Sequence, residues 1–156
     1  MKIRLLAVGQ KMPTWVQQTF AEYNGRLPVK QQIELVEIAP IHRSKSISTD
    51  KARQMEAQSI LDSVKNNEKI VLLDEKGKMI STRHLSESIS QWQMNGDDIA
   101  IIIGGADGVD KNIKKQAHKT WSLSALTFPH PLVRVILMEQ IYRAYSLLSN
   151  HPYHRE

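Results

Sequence analysis

At 156 residues the chain has the length of one domain, since domains usually run to about 100–200 residues. With 41% hydrophobic and 24% charged residues it is neither a disordered tail nor a fibrous repeat, and the absence of cysteine excludes a disulfide scaffold, thiolate metal sites and thiol catalysis. Lys and Arg (21) outnumber Asp and Glu (16), a net +5 with six His counted neutral, and that balance favours an anionic partner such as nucleic acid.

Residues 3–8 (IRLLAV) read as a strand ended by Gly9, and residues 12–23 as a helix with Pro13 in its first turn, where the missing N–H costs nothing. Residues 33–38 (IELVEI) alternate like a half-exposed strand. Beyond a basic loop, Thr49 is placed to cap a helix running to about Lys65, with Asp50 favourable near its positive end. Residues 69–74 (KIVLLD) form a near-continuous apolar run, the signature of a buried strand. Ser81 or Thr82 caps a helix that Gly96 ends, and residues 99–103 (IAIII) are the most strand-like segment of all. A short helix over 109–118, a short strand over 121–124 and a long helix over 131–148 complete one domain covering residues 1–156.

That alternation predicts an α/β fold, a mostly parallel sheet with helices on both faces. Ligands in such folds bind where loops leave the carboxyl ends of strands, which directs attention to the loops after Leu73, Ile103 and Leu123. No window approaches the roughly 18 apolar residues of a membrane span, and the apolar run 5–8 is too short for a signal-peptide core. The expectation is a soluble cytoplasmic domain with no membrane partner.

The loop Gly104-Gly105-Ala106-Asp107-Gly108 joins the strongest strand to a helix. Its spacing is neither the dinucleotide fingerprint nor a phosphate-binding P-loop. Residues 120–130 also lack the acidic residue that a dinucleotide-binding oxidoreductase would place there. By itself the loop reads equally as a ligand cradle or as a plain tight turn. The stretch 122–131 carries small, hydroxyl and apolar side chains and then His130 between two prolines, a stiff backbone suited to a neutral aromatic ligand such as adenine, or simply to a rigid connection.

On the last helix Glu139, Gln140, Arg143 and Ser146 share one stripe, with Glu139 and Arg143 an i,i+4 pair in the favourable order. Arg134 falls on the opposite, apolar face, where a guanidinium needs a partner. It is expected beside a surface that a second subunit buries. The tail carries His151, Tyr153, His154 and Arg155, a dense set of stacking and phosphate-binding groups, but no third metal ligand at a usable spacing, so no metal is expected. Residues 41–53 hold Arg43, Lys45, Lys51 and Arg53 against Asp50 and are expected to grip RNA phosphates through nonspecific charge.

Four separated motifs, Gly104-Gly105-x-x-Gly108, Trp121-Ser-Leu-Ser-Ala-Leu-Thr127, Pro129-His-Pro-Leu-Val-Arg134 and His151-Pro-Tyr-His-Arg-Glu156, resemble the small SPOUT-class ribosomal RNA methyltransferases of the RlmH type. The resemblance spans the whole chain, including the opening residues 8–15 (VGQKMPTW). It implies methylation of N3 of a pseudouridine in large-subunit (23S) ribosomal RNA, S-adenosylmethionine as cofactor, a homodimer, and a C-terminal part threaded into a trefoil knot. Carried over by motif, Leu73, Gly104, Leu123, Ser124, Ala125, Leu126, Thr127 and Phe128 would line the cofactor.

The catalytic candidates are His130, Tyr153, His154 and Arg155, followed by Glu139 and Arg143. His154 or His130 would accept the N3 proton near neutral pH. Arg155 would hold a phosphate or the imide oxygen, and Tyr153 would stack on the base. Alternatively no dedicated base exists, and positive charge alone eases proton loss to water. The tail is expected to cross to the partner subunit's cofactor. So small a chain is expected to read a preassembled RNA shape, which favours the large subunit or the 70S ribosome over naked RNA. The competing reading, a non-catalytic RNA-binding or ribosome-associated module, explains the charge but leaves the glycine loop and the tail without a task.

Overall fold

The computed structural model describes residues 1–105 and 107–155. In chain order they form β1 (Ile3–Val8), α1 (Thr14–Gly25), a 3-10 turn at Val29–Gln31, β2 (Glu34–Ile38), α2 (Thr49–Ser63), β3 (Glu68–Met79), α3 (Thr82–Asn95), β4 (Asp98–Ile103), α4 (Lys111–Gln116), β5 (Lys119–Ser122) and α5 (His130–Leu148). The strands make one sheet in the order β2-β1-β4-β3-β5, each neighbouring pair parallel. Alternate strand residues point to opposite faces, so the apolar runs fill two cores. Leu5, Ile101 and Val71 pack on one face with Phe20 of α1, Ile89 of α3 and Ile141 of α5. Leu6, Ile102 and Leu72 pack on the other with Ile60 of α2 and Ile113 of α4. This is the α/β sheet covered on both faces that the alternation predicts.

Several element ends differ from expectation, and each has a local cause. Pro13 is the N-cap of α1, in an extended conformation (φ −51°, ψ 150°), so the helix starts at Thr14. Ser48, not Thr49, caps α2, its Oγ accepting from the Lys51 N–H at 3.1 Å, and the helix stops at Ser63. The α4 helix is shorter than 109–118 because the Asp110 side chain caps it, accepting from the Asn112 N–H at 3.1 Å. The last strand lies at 119–122 and not 121–124. The α3 ends agree: Ser81 Oγ accepts from the His84 N–H, and Gly96 at φ +69° supplies the left-handed turn that closes the helix.

The largest difference is β3, which continues to Met79 instead of ending at Asp74. Trp121 of β5 pairs with both Leu73 and Lys78, so residues 74–77 loop out of the ladder between them. That bulge lies at the carboxyl end of the sheet, where the candidate loops gather.

Candidate active site

The carboxyl ends of β1, β3, β4 and β5 open onto one cleft of about 760 Å³, inside the range usual for small-molecule sites. Of the cofactor candidates, Leu73, Gly104, Leu123, Ser124, Leu126, Thr127 and Phe128 line it. Ala125 is not on its wall and is exposed. Ser124 Oγ accepts from the Leu126 N–H at 2.9 Å, a side-chain turn that reverses the chain at Ala125. Ser122 Oγ donates to Ser124 O at 2.9 Å, and Thr127 Oγ1 donates to Glu75 Oε2 at 3.3 Å, which ties this loop to the β3 bulge.

The glycine loop is a tight turn with its own packing demands. A Cβ on Gly104 would lie 2.3 Å from Val109 Cγ2, and Gly108 holds φ +82°. Gly108 N–H donates to Gly105 O at 3.1 Å, closing the turn. Ala106 in this loop and Glu156 at the tail lie outside the described residues.

Arg43, expected at an RNA-contacting loop, and Glu56, which the sequence does not mark, both line the cleft. Buried Glu56 accepts from Arg43 Nη1 at 2.7 Å and from the Ile41 N–H at 2.9 Å, while Arg43 Nε donates to Asp107 Oδ2 at 3.0 Å. Arg53 pairs with Asp50 and donates to Asp107 O at 3.1 Å. Two of the four cations expected to grip RNA, Arg43 from the loop before α2 and Arg53 from α2, therefore brace the glycine loop. Lys45 and Lys51 stay exposed.

His130 also lines the cleft. Its Nδ1 lies 2.7 Å from Gly104 O and its Nε2 lies 3.1 Å from Arg134 Nε. A carbonyl oxygen can only accept and a guanidinium can only donate. Nδ1 therefore carries the proton and the Nε2 lone pair is occupied. Burial, and after it the Arg134 charge, hold the ring below the ordinary histidine pKa against the opposing Gly104 hydrogen bond.

Arg134 corrects the expectation drawn from the helical wheel. Its side chain is 1% exposed within a single chain, with Nη1 2.7 Å from Glu37 Oε2 and Nη2 2.8 Å from Gly9 O. No second subunit is needed to bury it, because the loop after β1, β2 and His130 of its own helix supply its partners.

The remaining candidates form a separate cluster on the later turns of α5. Glu139 Oε1 accepts from Arg143 Nη2 at 2.5 Å, from Arg143 Nε at 2.9 Å and from the Tyr153 hydroxyl at 3.0 Å. Arg143 Nη1 donates to His154 Nδ1 at 3.2 Å, and its guanidinium lies 4.8 Å above the Tyr153 ring. Tyr153 meets Tyr142 edge-on at 4.7 Å. Burial, with hydrogen bonds to Tyr23 and Glu139, pushes the Tyr153 phenol well above its ordinary pKa, so it stays protonated. Arg155 is exposed. None of these residues lines the cleft. At 1.5 Å per residue, Glu139 sits about 13 Å along the helix from His130.

Among the described residues no group of His, Asp or Glu is placed to hold a metal, and no helix is long and apolar enough to cross a membrane. Residues 1–154 match the family described as "Predicted SPOUT methyltransferase". The chain belongs to the SPOUT methyltransferases. Relatives named "Ribosomal RNA large subunit methyltransferase H" share half its residues: one from Saccharophagus degradans is 50% identical, covering 99% of this chain and 100% of its own length. Another, from Psychrobacter cryohalolentis, is 51% identical with 99% of each chain covered. The solved structure of a probable methylase family protein from Haemophilus influenzae Rd KW20 has the same fold, with a TM-score of 0.56 at 12% identity over 99% of this chain and 70% of that one.

A SPOUT methyltransferase uses a methyl donor, and the β3 bulge shapes one side of the cleft that we propose as its site. A Cβ on Gly77 would lie 2.7 Å from the Trp121 carbonyl carbon and 2.8 Å from that of Thr120. Backbone must move to house it, at a cost of about 1–3 kcal/mol. Gly77→Ala is therefore expected to lower the urea midpoint and, by displacing Glu75, to weaken donor binding; parallel melts and calorimetric titrations measure both.

Proposed function

We propose that this SPOUT chain transfers the methyl group of S-adenosylmethionine to N3 of a pseudouridine in large-subunit ribosomal RNA. One observation carries the reading. The glycine loop, Leu73 and the 122–128 loop converge on a single cleft, in a chain half identical over its whole length to proteins named for ribosomal RNA large-subunit methylation.

The residues present fit that donor. Leu73, Leu123 and Phe128 offer apolar wall beside main-chain groups of two loops, the composition suited to an adenine ring. Glu75, exposed at the rim, offers a carboxylate to ribose hydroxyls or to positive charge. When bound, S-adenosylmethionine supplies a methyl already activated on a positive sulfur. The chain must then hold N3 in line with that methyl and ease the loss of its proton.

His130 is poorly placed for that proton, since both ring nitrogens are engaged, and we assign it to holding the cleft wall. The tail has the better chemistry. Arg143 donates to His154 Nδ1 at 3.2 Å, which holds the imidazole beside Tyr153 and Arg155, and we assign this group to the imide oxygen as negative charge develops there. Arg155 adds positive charge, and the neutral Tyr153 ring offers a stacking face. The tail cluster lies away from its own cleft, so we read the working site as composite in a homodimer, the tail of one copy serving the cleft of the other. The net charge of +5 suits an RNA surface. The substrate we favour is the assembled large subunit or 70S ribosome, which places the reaction in the cytoplasm.

The test is incubation with methyl-labelled S-adenosylmethionine and, separately, large subunits, 70S ribosomes and naked ribosomal RNA. Label is expected in ribosomal RNA from particles, recovered as a methylated pseudouridine after nuclease digestion. No label in any of the three, together with no heat of binding for the cofactor, overturns the reading.

A further inference from the structure

We propose that Arg134 is a positioning residue of the cleft, holding Gly9, His130 and, through His130, Gly104 in the arrangement that receives the methyl donor. The proposal rests on the functional reading above. Arg134 does not itself line the cleft; it acts from behind the wall.

The geometry is specific to a guanidinium. Three N–H groups diverge in one plane: Nε to His130 Nε2 at 3.1 Å, Nη1 to Glu37 Oε2 at 2.7 Å, Nη2 to Gly9 O at 2.8 Å. An ammonium cannot reproduce that rigid fork. The acceptors come from the first turn of α5, from β2, and from the loop after β1. His130 carries the link onward to the loop after β4, through its Nδ1–H bond to Gly104 O at 2.7 Å. One buried cation thus sets the spacing of three strand ends, two of which border the cleft. Gly9 is fitted closely to it: the residue holds φ +127°, its N–H donates to Ile38 O at 2.8 Å, and a Cβ there would come within 3.3 Å of Arg134 Nη2.

A buried charge is not a cheap way to fill space. Apolar residues of similar volume often replace buried ion pairs with no loss of stability. What they cannot do is orient the Gly9 carbonyl and fix the tautomer of the His130 imidazole. Arg134 does both, and its donation to Nε2 leaves His130 only the neutral form with the proton on Nδ1. The charged groups around this pair are Glu37, on the guanidinium, and Lys11, which lines with it a smaller cavity of about 260 Å³. Met12 separates that cavity from the main cleft and lines both. Because Arg134 lines that cavity, its truncation to alanine would join the vacated volume to it, and we take this as the entry route for a small cation.

The test uses the full chain with Arg134→Ala, Arg134→Lys and Glu37→Gln. It reads affinity for S-adenosylhomocysteine by calorimetry and the His130 ring by nitrogen-15 NMR. Wild type is expected to bind and to show the Nδ1–H tautomer at neutral pH. Arg134→Ala is expected to bind about tenfold or more weakly, the scale typical of lost supporting contacts behind a site, and to lose the single-tautomer signature. Millimolar ethylguanidinium should restore both, whereas matched ammonium should not. Arg134→Lys should remain defective although it keeps the charge. Should Arg134→Ala fail to fold, Arg134→Lys and Glu37→Gln decide the matter by their weakened binding. Folded variants that bind as wild type and keep its tautomer overturn the proposal and leave the functional reading standing. A wild-type chain that does not bind overturns that reading and the proposal with it.

Discussion

Deleting residues 153–156 is expected to cut methyl transfer to ribosomal particles by roughly 10²-fold or more, the contribution usual for positioned proton-transfer and charge-stabilising groups. Affinity for S-adenosylhomocysteine should hardly change, because Tyr153, His154 and Arg155 do not line the cleft. Glu139 and Arg143 keep their own 2.5 Å ion pair without the tail, so α5 should remain intact. Turnover at the wild-type rate would remove the tail from the chemistry. Which copy the tail serves is decided by co-expressing the truncated chain with Gly104→Ala, whose added Cβ would strike Val109 Cγ2 at 2.3 Å and spoil the cleft. Neither chain alone should turn over. A dimer containing both has one intact cleft facing one intact tail, and restored turnover is the expected result. No restoration assigns the tail to its own cleft.

The division between the cleft and the tail cluster marks where sequence reading stops. The apolar runs at 3–8, 69–74 and 99–103 require burial on both faces of a parallel sheet, and the glycine loop follows the most apolar of them, so the carboxyl-end position of the cleft is legible in the sequence. Strand order is not. Only the placement of β1 beside β4 brings Gly9 and Met12 to the glycine loop, and nothing local to residues 8–12 announces that neighbour. The same limit explains Arg134. Its position on an apolar helix face is readable, but Glu37 and Gly9 lie 97 and 125 residues away, so a second subunit is expected beside a side chain that this chain itself buries. Arg43 is expected to grip RNA phosphates because it lies in a basic loop, and its sequence neighbours give no sign of Glu56, 13 residues on in α2, which accepts from it. The Glu139–Arg143 pair was visible through its i,i+4 spacing. The return of Tyr153 onto Glu139 depends on a chain reversal after α5, where Asn150 adopts φ +56°. The ladder resumes at Lys78 and Met79, both exposed, so no apolar alternation in the sequence marks the β3 bulge or the strand beyond it.

Arg4→Met is expected to destabilise the fold by about 3–5 kcal/mol, the cost of removing one partner from a buried ion pair, which is a large share of the roughly 5–15 kcal/mol that holds a domain together. Arg4 and Glu68 sit at the amino ends of β1 and β3, away from the cleft, with side chains 7% and 2% exposed. Arg4 Nε and Nη2 donate to the two Glu68 oxygens at 3.0 and 2.5 Å, and the Lys65 N–H adds a third bond at 2.8 Å. Burial by itself would raise the Glu68 carboxyl, but the hydrogen bonds from Arg4 and Lys65, with the Arg4 charge, outweigh it and hold the group below its ordinary value. A carboxylate depressed in the folded state stabilises fully above its unfolded pKa, about 4.3 for Glu. That stabilisation disappears as pH falls through the folded value. In Arg4→Met burial acts without its main opponent, and protonating Glu68 relieves the variant. The deficit between wild type and Arg4→Met should therefore be greatest near pH 7 and narrow below pH ~4.3, in urea melts run at both. Adding Glu68→Gln to Arg4→Met should recover part of the loss at pH 7, since the orphaned charge is gone. A deficit that stays constant with pH, or a double variant no better than the single, would show that the loss comes from packing alone.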